Sequence, residues 1–64
     1  MFEVWLAKNS GYYWTLKALN GEKLCHSEVY VTKQGAYVGI DAVKRVAPNA
    51  HTYDRTSGLS AFVR

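Results

Sequence analysis

The sequence predicts an α+β fold: a three-stranded antiparallel meander, one helix and a C-terminal strand, in the order β-β-β-α-β. Three observations predict it. Residues 2–31 alternate apolar and polar positions around two glycine-containing turns, the period of strands with one face in a core. Residues 32–47 change to helical spacing and stop at Pro48, which cannot continue a helix. Residues 48–64 hold two short strand-like pieces around Ser57-Gly58. All three parts belong to a single domain, 1–64.

In the first strand Phe2, Val4 and Leu6 alternate with Glu3, Trp5 and Ala7, and Asn9-Ser10-Gly11 follows as a three-residue loop. With glycine in the left-handed position of that loop, Lys8 faces Tyr12, Leu6 faces Trp14, Val4 faces Leu16 and Phe2 faces Ala18. On the other face Trp5 meets Thr15 and Glu3 meets Lys17, so apolar residues and opposite charges pair across the strands. The second hairpin has two readings. A three-residue loop Leu19-Asn20-Gly21 puts Leu24 opposite Leu16 and His26 opposite Trp14. A two-residue Asn20-Gly21 turn puts Cys25 and Ser27 there instead. The first is preferred, because it buries Leu24 and leaves Lys23 outside, and the choice matters because a one-residue slip turns every side chain over.

Thr32 is the predicted N-cap of the helix, its hydroxyl accepting an amide hydrogen of the first turn. Ala36, Ile40, Val43 and Ala47 form the apolar stripe, and Asp41 and Arg45 are spaced for a surface ion pair. A second line of small residues, Gly35, Gly39, Ala42 and Val46, runs beside the stripe. Each internal glycine costs about 1 kcal/mol relative to alanine. Either another element approaches closely along this line, a partner helix for instance, or Gly35 lies in a fraying first turn and Gly39 clears a sheet side chain. With Phe62, these four are the candidate dimer contacts.

Composition bounds the function. A single core in 64 residues supplies on the order of 3–5 kcal/mol and normally needs a staple. Cys25 is the only cysteine, so no intrachain disulfide forms, and with two histidines the chain lacks the four ligands of a structural zinc site. Oligomerisation remains, which predicts a homodimer. No apolar run approaches a membrane span and no signal-peptide pattern leads the chain, so a cytoplasmic location is expected. The net charge of +3 is spread along the sequence, where nucleic-acid binders concentrate it on one face.

The chemistry-bearing residues are few. Cys25 and His26 are neighbours on a strand and point to opposite faces, and Cys25 reads as a buried structural residue. His26 and Glu28 share a face and can form a hydrogen-bonded pair, but no nucleophile or metal set accompanies them. No catalytic residue, metal ligand or cofactor is therefore predicted, and the chain is read as a non-enzyme. Ser27-Glu28-x-Tyr30 is a polar cluster in which Glu28 and Tyr30 would line a groove where sheet meets helix, or Ser27 and Glu28 would tie backbone groups at the crossover. Trp5, Tyr13 and Lys17 share the face away from the helix, either as a stacking platform for single-stranded nucleic acid or as an interface. Trp5, Tyr13, Lys17, Glu28 and Tyr30 are thus the candidate ligand or interface surface. The leading function is a small binding or interaction protein acting as a homodimer; the alternative is a nucleic-acid-binding module.

The ordered set Trp14-x-Leu16-Lys17-Ala18-x-Asn20-Gly21-Glu22, Ser27-Glu28-x-Tyr30-x-x-Lys33, Gly39-Ile40-x-x-Val43-Lys44 and Ala47-Pro48 resembles the YegP-like family, small bacterial and archaeal domains without an established function. The likeness runs from Phe2 to Pro48, about three quarters of the chain. Thr32 stands where the family usually has serine. The resemblance implies a β-β-β-α-β unit. It also implies that units pair, in tandem or as two chains, through one continuous sheet with exchanged C-terminal strands. The tail matches least: Tyr53-Asp54-Arg55 is similar to the family's post-helix strand, and Leu59 to Arg64 is hard to align.

Overall fold

The alternating N-terminal half forms an antiparallel sheet of β1 (Phe2–Leu6), β2 (Tyr12–Lys17) and β3 (Lys23–His26), in that order. The structure is a computed structural model that describes residues 1–56 and, as backbone, residues 61–63. Helix α1 (Lys33–Val46) follows, passes into a 3-10 turn at Ala47–Asn49, and leads to an antiparallel hairpin of β4 (Thr52–Asp54) and β5 (Ala61–Val63). The class is α+β as expected, but the C-terminal part holds two strands, paired with each other rather than with the edge of the main sheet. The turn expected at Ser57-Gly58 lies outside the described residues.

The first hairpin pairs Phe2 with Leu16, Val4 with Trp14 and Leu6 with Tyr12, two residues from the expected register. The loop is the cause. It consists of Lys8, Asn9 and Ser10, closed by Ala7 N–H to Gly11 O at 2.7 Å and Ser10 N–H to Ala7 O at 3.1 Å. Ser10, at φ 71°, takes the left-handed position expected of Gly11, a conformation uncommon for residues with a Cβ. Gly11 is needed for close approach instead. A Cβ there would overlap Val29 and lie 3.0 Å from the Tyr30 carbonyl. A shift of two keeps side-chain parity, so every residue of this hairpin faces the side the alternation predicts.

The second hairpin mixes both readings. Ala18 N–H to Glu22 O at 2.8 Å and Gly21 N–H to Ala18 O at 3.0 Å close the preferred three-residue loop, with Gly21 at φ 87°. Lys17 then faces Lys23, but the register shifts before Leu16, so Cys25 and not Leu24 lies opposite Leu16, and His26 lies opposite Thr15. The extra residue, Leu24, is 58% exposed. This bulge corrects the expected inward Leu24. Beyond β3, Ser27 N–H reaches Trp14 O at 2.9 Å, and Trp14 N–H donates to Ser27 Oγ at 2.9 Å. The hydroxyl substitutes for a carbonyl that the departing strand no longer offers. Tyr30 then rejoins β2, exchanging two hydrogen bonds with Tyr12.

Thr32 caps α1, its Oγ1 accepting from Gly35 N–H at 3.0 Å. Ala36 and Ile40 are buried against Trp14, and Phe2, Val4, Tyr12, Leu16, Tyr30 and Val43 pack around them. Phe2 meets Trp14 edge to face, centroids 5.3 Å apart, a favoured aromatic geometry. Lys44 Nζ lies 5.8 Å from the centre of the Phe2 ring. The expected Asp41–Arg45 ion pair does not form; on a solvated helix face such a pair is worth only a few tenths of a kcal/mol.

Candidate functional site

The face of the sheet opposite α1 gathers Glu3, Trp5, Tyr13, Thr15 and Lys17, as the parity of β1 and β2 requires. Trp5 lies across from Tyr13 and Glu3 across from Thr15. The pairs expected to be directly opposite are instead diagonal contacts. Trp5 Nε1–H donates to Thr15 Oγ1 at 3.1 Å, and Lys17 Nζ sits 3.2 Å from Glu3 Oε1. Thr15 is consequently buried although no helix covers it, while Trp5 remains 45% exposed. The result is a flat aromatic face whose one lysine on β2 is already matched by a carboxylate.

Tyr30 and Glu28 do not join this face. Glu28 is exposed on the crossover, and the expected His26–Glu28 hydrogen bond is replaced by a 3.2 Å contact from His26 Nδ1 to Ser27 O. Tyr30 packs where sheet meets helix, lying along Gly35 and Gly39. A Cβ on Gly39 would overlap the Tyr30 hydroxyl and stand 3.1 Å from Trp14 Nε1, and one on Gly35 would stand 3.4 Å from the Tyr30 ring. Within the chain, the close approach along these glycines is made by Tyr30, as in the reading that Gly39 clears a side chain of the sheet. Ala42 is half-buried, and Val46 at the end of the same line is 59% exposed.

The other distinctive region is the side of the sheet where β3 runs. Helix α1 comes near β1 and β2 only; no Cα of β3 lies within 8 Å of it. All four β3 residues are exposed, Cys25 among them, against the expectation of a buried thiol. The helix is too narrow to roof three strands, and its apolar stripe follows Trp14 and Phe2. The β4–β5 hairpin has no Cα within 8 Å of α1 or of the sheet among the described residues. The radius of gyration reflects this, at 14.6 Å against about 11 Å for a compact chain of this length. Phe62 lies opposite Tyr53 in that hairpin, and its side chain lies outside the described residues. Asp54 Oδ1 accepts from the Thr56 hydroxyl at 2.7 Å and from its amide at 2.9 Å, which holds the Asp54 carboxyl below its ordinary value.

A shallow open depression of about 480 Å³ lies between the first loop and the crossover, lined by Asn9, Ser10, Gly11, Val29, Tyr30 and Val31. Its lining holds no carboxylate, histidine, cysteine or cation, and it had no signal in the sequence. Among the described residues no helix is long and apolar enough to cross a membrane.

Residues 7–54 match the family model described as a domain of unknown function, DUF1508. A UPF0339 protein of Photorhabdus laumondii is 44% identical over 59 residues, covering 88% of this chain and 52% of its own length. The UPF0339 protein YegP of Yersinia pestis is 40% identical over 53 residues, covering 83% of this chain and 47% of its own length. The chain therefore spans about half the length of these two curated relatives, whereas it covers 84% of a UPF0339 protein of Methanosarcina acetivorans at 41% identity over 49 residues, 77% of this chain. The solution NMR structure of a protein from Haloferax volcanii superposes with a TM-score of 0.75 at 40% identity, covering 84% of this chain and 92% of that one. With the sheet, the helix and these relatives in agreement, the chain belongs to the YegP-like family of DUF1508 domains.

Proposed function

We propose that the chain is a non-catalytic binding module of the cytoplasm that works as a homodimer, the C-terminal arm of each copy completing the sheet of the other. The observation that carries this reading is the β4–β5 hairpin, which makes no approach to the chain's own sheet or helix among the described residues. Two strands of three residues each are marginal alone, and the small core gains from any further apolar burial. Relatives about twice as long fit the same need, because two units in one polypeptide would supply each other's missing strands. Sedimentation equilibrium of the full chain is the test. A mass of twice 7.2 kDa is expected, and a monomer across the accessible concentration range rejects the pairing.

Nucleic-acid binding through Trp5, Tyr13 and Lys17 stands second. The exposure of Trp5 favours it, and the pairing of Lys17 with Glu3 weakens the phosphate attraction such a face needs. Salt-dependent binding of an oligonucleotide at low ionic strength, weakened by Trp5→Ala, would bring it forward.

A further inference from the structure

We propose that the face of the sheet opposite α1 binds a segment of single-stranded nucleic acid, with bases on Trp5 and Tyr13 and a backbone phosphate at Lys17 and Lys23. This rests on the binding-module reading above and adds the ligand and the residues of β3 that take part. Residues directly opposite one another in an antiparallel pair share a face. β2 and β3 pair Lys17 with Lys23 and Thr15 with His26, so β3 brings a second lysine and an imidazole to the face that holds Trp5 and Tyr13. Helix α1 covers the other side, and the β4–β5 hairpin has no Cα within 8 Å of the sheet among the described residues, which leaves this face open.

The charges on the face do not cancel. Glu3 answers Lys17 at 3.2 Å, and among the described residues no carboxylate forms an ion pair with the exposed Lys23. Two lysines thus stand directly across from each other with a single acid to balance them. Like charges in that position are destabilising, and an anion seated at this end relieves the repulsion. Lys23 therefore restores the phosphate attraction that the Lys17–Glu3 pair alone withholds.

The aromatic end decides what accompanies the anion. Trp5 lies across from Tyr13, and its Nε1–H already donates to Thr15 Oγ1 at 3.1 Å. That bond holds the indole on the sheet, so a base that stacks on it strands no donor and finds the ring pre-organised. Trp5 is 45% exposed, and stacking on it is open to any base because every base has a π-face. From Tyr13 to Lys17 the strand runs about 13 Å, so rings and lysines are engaged together by an extended polymer rather than by a single phosphate. A flat face without the walls of a small-molecule pocket favours the same ligand, and stacking requires bases that are not already paired in a duplex.

The test is fluorescence anisotropy of a labelled oligothymidylate of about eight nucleotides, titrated with the full chain across a salt series. For single strands log K falls with log salt by about 0.7 for each phosphate neutralised. Lys23→Ala, at an exposed position, is expected to flatten that slope by about 0.7, and Lys33→Ala on α1 to leave it unchanged. Trp5→Ala is expected to weaken binding about tenfold at an unchanged slope. Trp5→Phe, which keeps a ring and loses the bond to Thr15, should fall between. The absence of salt-dependent binding overturns the proposal. So does a slope that Lys23→Ala leaves intact, or a duplex bound as tightly as the single strand. Sedimentation reads the pairing of chains separately: a dimer that binds no oligonucleotide overturns this proposal and leaves the dimer standing, whereas a monomer that binds it does the reverse.

Discussion

The main domain and the C-terminal arm are made from similar strand-forming residues, yet only the domain has a core. In residues 2–46 each apolar stripe finds another: Trp14 of the central strand meets Ala36 and Ile40 of α1, and Phe2 seals the side. In the arm, β4 and β5 find only each other among the described residues. Thr56 folds back on Asp54, and Arg55 lies 6.0 Å over the Tyr53 ring. A strand pair becomes a stable unit only when a third element covers it. Among the described residues the domain contains that element and the arm does not.

Substitutions should separate the two regions by the size of their effects. Trp14→Ala removes the residue on which sheet and helix meet and should cost about 3–5 kcal/mol, comparable with the whole stability of a core this small. Loss of cooperative urea unfolding by circular dichroism is the expected result, and retention of a native-like transition would show that the core lies elsewhere. Gly39→Leu comes next. It drives a side chain into the space of the Tyr30 hydroxyl and Trp14 Nε1, and overpacking of this kind costs about 1–3 kcal/mol. Pairing it with Tyr30→Ala should recover part of the loss, which a partner-helix role for Gly39 would not predict.

Thr32→Ala removes the cap on Gly35 N–H and should lower stability by about 1 kcal/mol, read as a shift in the urea midpoint at constant slope. Thr32→Ser should leave it nearly unchanged. The smallest effect belongs to the arm. The Thr56 hydroxyl, then its amide, lower the Asp54 pKa below 3.8. The turn is therefore favoured above pH 3.8 and loosens as pH falls through the depressed value. NMR titration of the Asp54 carboxyl should give a midpoint below 3.8 that rises in Thr56→Val. Domain stability should not follow that titration, since nothing in the core contacts Asp54.

Much of the domain was legible because period and capping are local. The alternation placed Trp5, Tyr13 and Lys17 on one face and Trp14 and Leu16 on the other. Thr32 followed by helical spacing located α1, and Pro48 located its end. The candidate site was only half legible. Trp5, Tyr13 and Lys17 do share a face, whereas Tyr30 lies on the helix side and Glu28 stands apart on the crossover. The Ser27-Glu28-x-Tyr30 cluster pointed Tyr30 to the meeting of sheet and helix, but not to Gly35 and Gly39, which are a helical turn or more away and say only that something approaches.

Local physical chemistry, read from the residues alone, determined the class, the order of the first four elements and the facing of the first hairpin, since these depend on side-chain parity and on hydrogen bonds within a few residues. Only the tertiary structure decided the registers, the tenant of Gly35 and Gly39, and the isolation of the arm. Gly11 had to admit Val29 and Tyr30, which left Ser10 in the left-handed position and moved the first register by two. The bulge before Leu16 turned Cys25 toward Leu16 and left Leu24 outside. A helix wide enough for two strands left β3 open. Each of these outcomes depends on how distant segments compete for the same space, which no local pattern encodes.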